Sequence, residues 1–294
     1  MGYEPPRRKP GNRPEAIEVE GSLYTFVTRQ RADTTAIYKS SNAFLRIGDP
    51  SRIESDLNLH YEMLNKGFPV SRIVSVGSYE NEAYFIESSL GEKHLGELFA
   101  EDTAEYGSIQ QKTFEMYLNI VSTFAQAQLD TRIPEKNFSA FSKAILLDAL
   151  CDELPELSDK LKARFEKVCS ALESVPFVLS HGDFNPNNLY PNGVIDLEDS
   201  FYGPFGYDLI GSLSHIDSFP DSNEYEFYAK YRFTREQKQR FFIEVDRICE
   251  SNGLDRISAC ARDFDFCRAV WLAAKIPHVP KLQKFRYDFV KTLL

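Results

Sequence analysis

The stretch from Val178 to Leu213 constrains the fold more than any other part of the chain. It reads VLSHGDFNPNNLYPNGVIDLEDSFYGPFGYDLIGSL. The apolar runs VPFVLS and VIDLE predict two short strands, and the turn formers HGDFNPNN and PNG predict a loop and a tight turn between them. Four carboxylates are expected near this hairpin, those of Asp183, Asp196, Glu198 and Asp208. A cluster of negative charges is costly unless a cation lies among them, and the usual cation is a divalent metal with oxygen ligands.

The rest of the sequence changes from strand patterns to helix patterns. Apolar and polar residues alternate in IEVEGSLYTFVTRQ, TTAIYKSSNAFLRIG, RIVSVGS and AYFIE, which predicts antiparallel strands. Between them, SRIESDLNLHYEMLNKG has helical spacing, with Ser51 as its expected cap and Gly67 as its expected end. Later runs predict further helices: QQKTFEMYLNIVSTFAQAQLD, AFSKAILLDALCDEL, LSDKLKARFEKVCSALESV, PFGYDLIGSLSHI, TREQKQRFFIEVDRICESNG and ISACARDFDFCRAVWLAAKI. We therefore expect an α+β fold with a small antiparallel β N-lobe carrying one helix and a larger, mainly helical C-lobe.

Composition places this chain among ordinary globular proteins. Its first residues, MGYEPPRRKPGNRPEA, are rich in Pro, Arg and Gly, so we expect a flexible arm over 1–16, an N-lobe over 17–91 and a C-lobe over 92–294. The net charge of −10 argues against binding to nucleic acid or to an anionic membrane. No apolar run approaches the ~18 residues needed to span a bilayer. Five cysteines without a C-x-x-C pair fit a reduced compartment, and we expect a cytoplasmic protein.

The loop between the predicted strands has the residues that phosphoryl transfer requires. His181, Asp183 and Asn188 form H-G-D-x-x-x-x-N, and Asp196 follows on the next apolar run. The reaction needs a carboxylate to orient a hydroxyl, and carboxylate and amide oxygens to hold Mg²⁺ against phosphates. This pattern therefore predicts a phosphotransferase site.

The longer run HGDFNPNNLYPNGVIDLEDSFYGPFGYDL resembles the motif region of the aminoglycoside phosphotransferase and choline kinase superfamily, whose members are related to protein kinases. A weaker resemblance extends from about Glu20 through the helical lobe. The resemblance implies a two-lobed protein-kinase-like fold. It also implies that the γ-phosphate of ATP or GTP is transferred to a hydroxyl of a small molecule.

The resemblance also implies roles for the residues of the motif. Asp183 would accept or orient the proton of the acceptor hydroxyl, and Asn188 and Asp196 would bind Mg²⁺. Glu198 would approach a second metal or its waters, or else lie on the surface. His181 would brace the loop through hydrogen bonds.

Asp208, in G-Y-D-L, corresponds to an acid that accepts backbone hydrogen bonds from the catalytic loop in the family. We therefore expect Asp208 to have an architectural role.

The N-lobe should supply a cation to the phosphates. Arg46 occupies the strand position where kinases carry Lys, and Arg can pair with phosphate through two donors. Lys39, on the preceding strand, is a weaker candidate. Glu54 or Asp56 could hold Arg46 from the helix, and the spacing does not choose between them.

Other nucleotide contacts are expected from the loop VTRQRADTT and the linker AYFIESSLG. The loop has no glycine, although glycine commonly lets backbone N–H groups approach phosphates closely. Thr34 and Thr35 could donate hydroxyl groups instead. In the linker, Glu87 and Ser89 would contact the base through backbone C=O and N–H groups.

Acidic and aromatic side chains crowd two later segments, HIDSFPDSNEYEFYAKYRF and RDFDF. They could receive a cationic or amphipathic acceptor, or form a solvated loop beside a core helix. These residues include Asp217, Asp221, Glu224, Tyr225, Glu226 and Asp263. The leading hypothesis is thus a Mg²⁺-dependent kinase of small molecules, with aminoglycoside-like, choline-like or other metabolites as acceptors. The alternative is a catalytically weak, nucleotide-binding regulatory pseudokinase, suggested by the glycine-free loop and by Arg46.

Overall fold

The chain divides into two compact units in a computed structural model. The described residues are 13–30, 35–225, 227–275 and 280–294. The first unit takes in the chain up to Glu92 together with Asn192–Leu197. The second consists of Lys93–Pro191 and Glu198–Leu294.

The first unit is built on an antiparallel sheet, as the alternating sequence predicts. Its strands are β1 (Ala16–Val19), β2 (Ser22–Gln30), β3 (Thr35–Lys39), β4 (Ala43–Gly48), β5 (Ile73–Tyr79) and β6 (Glu82–Ser88). They lie in the order β1-β2-β3-β4-β6-β5. Alternate side chains of these strands, including Tyr38, Leu45 and Ile86, form a buried core, because successive residues of a strand point to opposite faces.

One helix, α1 (Pro50–Asn65), follows β4. Ser51 was expected to cap it, and this expectation is wrong. The side chain of Asp49 accepts hydrogen bonds from the backbone N–H groups of Ser51 and Arg52 instead. Pro50 has no N–H to satisfy and its φ suits the first helical position, so the residue before it becomes the cap. Gly67, with φ +80°, follows the end of α1 as predicted.

The second unit is mainly helical. Its helices are α2 (Leu95–Tyr106), α3 (Gln111–Leu129), α4 (Phe138–Ala144), α5 (Leu147–Glu153), α6 (Ser158–Ala171), α7 (Tyr207–Ser214), α8 (Arg235–Ser251), α9 (Ala261–Lys275) and α10 (Pro280–Lys291). The run AFSKAILLDALCDEL was expected to be one helix. It forms α4 and α5, because Leu146 has a left-handed backbone conformation, φ +60°, which interrupts the helical hydrogen bonding.

The hairpin expected around the motif also needs correction. The short strands here are β7 (Phe177–Ser180), β8 (Leu189–Tyr190), β9 (Gly193–Val194) and β10 (Phe201–Pro204). β7 pairs antiparallel with β10 rather than with VIDLE. VIDLE itself leaves the extended conformation at Asp196, whose φ is +66°, and Leu197–Asp199 form a 3₁₀ turn. Asp tolerates the left-handed conformation better than most residues, so the strand can end there.

Candidate active site

Asp208, the second residue of α7, fixes the backbone of the loop that follows β7. The carboxylate of Asp208 accepts hydrogen bonds from the backbone N–H groups of His181, at 2.7 Å, and Gly182, at 3.0 Å. The amide of Gln128 donates a third, at 2.9 Å. Burial raises the pKa of Asp208 above its ordinary value, although the backbone N–H groups of His181 and Gly182 act in the opposite direction. Asp208 is therefore architectural, as predicted.

Gly182 is required where the chain leaves β7. Its φ is +83°, and a Cβ at this position would lie 2.1 Å from the backbone oxygen of Asp199. Only glycine adopts this conformation without strain and leaves room for that oxygen. The glycine of the motif thus permits the close approach of the chain to Asp199 immediately before Asp183.

Asp183 is held through both of its carboxylate oxygens. Oδ1 accepts from Nη2 of Arg268 at 2.6 Å and from Nδ2 of Asn185 at 2.9 Å. Oδ2 accepts from Nδ2 of Asn188 at 3.2 Å. The backbone N–H of Asp183 donates to Nδ1 of His181 at 3.2 Å, so His181 braces the loop as predicted. The side chain of Asp183 is nevertheless 20% exposed, so it remains accessible to a small molecule.

The charge on Asp183 is set by two opposing effects. Burial raises the pKa of Asp183, but the positive guanidinium of Arg268 beside it has the larger and opposite effect. The pKa of Asp183 therefore lies below its ordinary value. The carboxylate is ionised at neutral pH and can accept a hydrogen bond from a hydroxyl group.

Sequence analysis did not find two of the partners of Asp183. Asn185 lies within the motif and hydrogen-bonds both the side chain and the backbone oxygen of Asp183. Its place in the run NPNN could have indicated this role. Arg268 is 85 residues away in sequence, on α9, and its one local sign is a cation within an otherwise apolar run.

The residues expected to bind a metal have the donor chemistry that Mg²⁺ prefers. The amide nitrogen of Asn188 donates to the backbone oxygen and to Oδ2 of Asp183, so its amide oxygen is the atom left for a cation. Asp196 follows β9, and Glu198 lies in the 3₁₀ turn after it. These oxygen donors fit Mg²⁺, which binds through a few protein oxygens together with phosphate and water. Within the described ranges, no three His, Cys, Asp or Glu side chains form a metal-binding group by themselves.

In the first unit, the structure distinguishes between the two possible partners of Arg46. Nη1 of Arg46 lies 3.6 Å from Oδ2 of Asp56, whereas Glu54 is exposed. The guanidinium also lies over the ring of Phe85, 5.7 Å from its centroid. Asp56 is thus the helix acid that holds Arg46. Lys39 lies over the ring of Phe44.

The other expected nucleotide contacts are less well placed. Thr34 lies outside the described residues. Thr35 is 1% exposed and pairs with Gly48 in the β3–β4 ladder. Its hydroxyl is therefore poorly placed to donate to a phosphate.

The residues expected to contact the base already have hydrogen-bond partners. Glu87 lies in β6, and its carboxylate accepts a hydrogen bond from Ser71. The N–H of Ser89 already donates to the carbonyl of Asn42, at 2.9 Å, so it is not available to a base while this bond persists.

The acids expected to receive a cationic acceptor are largely neutralised by basic side chains. Three ion pairs are Asp217–Lys238 (2.9 Å), Asp221–Arg232 (2.7 Å) and Asp263–Arg164 (2.8 Å). Glu224 is exposed, the ring of Tyr225 packs against Phe285, and Glu226 lies outside the described part of the chain. These residues therefore give little support for a site specific for a polycation.

Comparison with known proteins identifies the family. The sequence matches the model of the phosphotransferase enzyme family, APH, over residues 31–241. This match covers more than half of the chain, so the chain belongs to that family. It is a phosphotransferase that acts on hydroxyl acceptors. The comparisons give no support to the alternative of a regulatory pseudokinase.

Two solved structures of aminoglycoside phosphotransferases show the same fold. A thermostable mutant of aminoglycoside phosphotransferase APH(4)-Ia, in a ternary complex with AMP-PNP and hygromycin B, is 15% identical with a TM-score of 0.52, and the match covers 94% of this chain and 96% of that chain. For aminoglycoside phosphotransferase APH(3'')-Id from Streptomyces rimosus, with ADP and streptomycin, the identity is 13%, the TM-score 0.50 and the coverage 80% and 90%. A choline/ethanolamine kinase family protein from Mesorhizobium loti is 16% identical with a TM-score of 0.48, and the coverage is 90% and 86%.

The fold is therefore the α+β, protein-kinase-like fold expected from the motif. Comparison with curated proteins gave no significant match. No helix in the described part of the chain combines the length and the apolar character that crossing a bilayer requires.

Proposed function

We propose that this chain transfers the γ-phosphate of ATP or GTP, with Mg²⁺, to a hydroxyl group of a small molecule. Asp183 orients the hydroxyl group and accepts its proton, and Asn188 and Asp196 hold the metal, with Glu198 near a second metal or its waters. The observation that carries this proposal is the carboxylate of Asp183, which is fixed through both oxygens and still 20% exposed.

The low pKa of Asp183 suits this chemistry. Transfer of a phosphoryl group passes through a loose transition state, in which the hydroxyl must be aligned with the phosphorus before it loses its proton. A weakly basic, ionised carboxylate aligns the hydroxyl by accepting its hydrogen bond, and takes the proton late in the reaction. Bound Mg²⁺ would supply the positive charge that neutralises the phosphate oxygens.

The N-lobe, residues 17–91, is assigned to the nucleotide and the C-lobe, residues 92–294, to the acceptor. Arg46 is the proposed phosphate contact, since its guanidinium is oriented by Asp56. The protein-kinase-like structures that bind ADP and AMP-PNP support an adenine nucleotide as the co-substrate. Backbone groups near Glu87 and Ser89, other than the N–H of Ser89 that donates to Asn42, would contact the base.

The acceptor is a small molecule with a hydroxyl group. Streptomycin and hygromycin B occupy two structures of this fold, so aminoglycosides belong among the compounds to be tried. Because Asp217, Asp221 and Asp263 are ion-paired, neutral and anionic alcohols belong among them as well.

The test is turnover of MgATP and MgGTP with aminoglycosides, choline, ethanolamine, homoserine and sugars. Asp183→Asn should lower turnover by about 10²–10⁴-fold, because the amide cannot accept the proton, while calorimetry shows that MgATP still binds. Asp288→Asn removes an exposed acid from α10 and serves as the matched control. Undiminished turnover in Asp183→Asn contradicts the proposed role of Asp183.

A further inference from the structure

Arg268 contacts the carboxylate of Asp183 more closely than Asn185 or Asn188 does. Its Nη2 lies 2.6 Å from Oδ1 of Asp183, and its Nη1 donates to the backbone oxygen of Gly182 at 3.0 Å. The side chain of Arg268 is 2% exposed. One guanidinium therefore holds both the carboxylate and the backbone that precedes it.

Two further groups fix the direction of this guanidinium. Nη2 of Arg268 lies 3.0 Å from Nδ1 of His215, in the 3₁₀ turn after α7. Arginine can only donate, so Nδ1 of His215 must accept, which places the imidazole proton on Nε2. The guanidinium also lies over the indole of Trp271, with Cζ 4.4 Å from the ring centroid. His215 and Trp271 thus hold Arg268 at an angle that aims it at Asp183.

The stability of the fold alone does not explain why the buried guanidinium of Arg268 is placed beside Asp183. Arg268 lies in the most buried part of α9, next to Cys267, Ala269 and Val270, where an apolar side chain would pack readily. Removing two charges from water costs several kcal/mol per ion, and apolar replacements of buried ion pairs often leave stability unchanged or higher. The guanidinium is placed where it affects a carboxylate that is itself accessible to a substrate.

We propose that Arg268 is a positioning residue for phosphoryl transfer, with neutral His215 as its support. This proposal rests on the proposed role of Asp183. By occupying Oδ1, Arg268 leaves Oδ2, on the side of Asn188, to meet the acceptor hydroxyl.

The test measures MgATP turnover by the full chain. Water is the acceptor, and it is replaced by any alcohol that the screen of acceptors identifies as a substrate. Arg268→Lys keeps the charge but loses the planar fork, so kcat should fall by about 10²-fold, as expected for a misplaced catalytic group. The KM for MgATP should stay unchanged. A fall in kcat at a constant KM separates misplacement of Asp183 from weaker nucleotide binding.

Variants of His215 separate positioning from folding. His215→Asn keeps an acceptor near the position of Nδ1 and should restore most of the wild-type kcat, whereas His215→Phe should lower kcat part of the way toward that of Arg268→Lys. If Arg268→Lys does not fold, as judged by urea unfolding, the His215 pair tests the same link. A wild-type kcat in a folded Arg268→Lys or His215→Phe overturns the proposal. Activity that survives Asp183→Asn overturns the proposed function instead, so the two failures are distinguishable.

Discussion

The loop after β7 and the sheet of the first unit hold their polar side chains in different ways. In the loop, Asp183 has partners on both oxygens, and Asp208 binds the backbone behind it. In the sheet, Arg46 of β4 lies 3.6 Å from the carboxylate of Asp56 on α1, and the buried Thr35 lies within a β ladder. Backbone pairing defines the sheet, whereas side chains define the loop. We therefore expect substitutions in the loop to have the larger effects.

The largest effect should come from Asp208→Ala. This change leaves the buried N–H groups of His181 and Gly182 without their acceptor. We expect the free energy of unfolding to fall by about 3 kcal/mol, and turnover to be lost with the loop geometry. Urea unfolding and MgATP turnover measure both. A loss of stability below about 1 kcal/mol would show that the loop does not depend on this carboxylate.

A smaller effect should appear when the pH is lowered. Burial, together with Arg268, lowers the pKa of His215 from 6.5 to about 3. The unfolded chain then takes up a proton on this imidazole at a pH where the folded chain does not, so stability falls as the pH drops from 6.5 toward 3. Asp183 opposes this shift and Arg286 adds to it.

His215→Asn has no such proton to take up. It should therefore lose less stability than the wild type between pH 7 and pH 5, by about 2 kcal/mol. Urea unfolding at the two pH values measures the difference. Equal losses in the variant and the wild type would show that another group causes the acid destabilisation.

The smallest effect should come from the ion pair between the sheet and α1 in the first unit. Asp56→Asn removes the charge that orients Arg46, and partly exposed ion pairs contribute about 0.2–1 kcal/mol. The KM for MgATP should rise by about threefold while kcat stays constant. Glu54→Gln, a change on the same helix at an exposed position, is the matched control. An equal rise in both variants would show that the effect comes from the charge of the helix rather than from Arg46.

Much of the loop was predictable because its interactions are local. Asp183, His181 and Asn188 lie within eight consecutive residues, and the structure joins them by hydrogen bonds. The architectural role of Asp208 followed from the resemblance to the family and is confirmed by its backbone donors. The pairing of β7 with β10 was not predictable from the motif. VIDLE has the residue pattern of a strand, and it leaves the extended conformation only because Asp196 has a positive φ.

The sequence by itself determined the α+β class, the phosphotransferase family and the loop with Asp183, since periodicity and the motif act over short distances. Only the tertiary structure decided that Asp56 rather than Glu54 holds Arg46. It also decided that Arg268 contacts Asp183 and that His215 contacts Arg268. A buried guanidinium from a distant helix has no regular spacing from the loop that it contacts. Its partner is set by how the helices pack, and packing is a property of the whole fold.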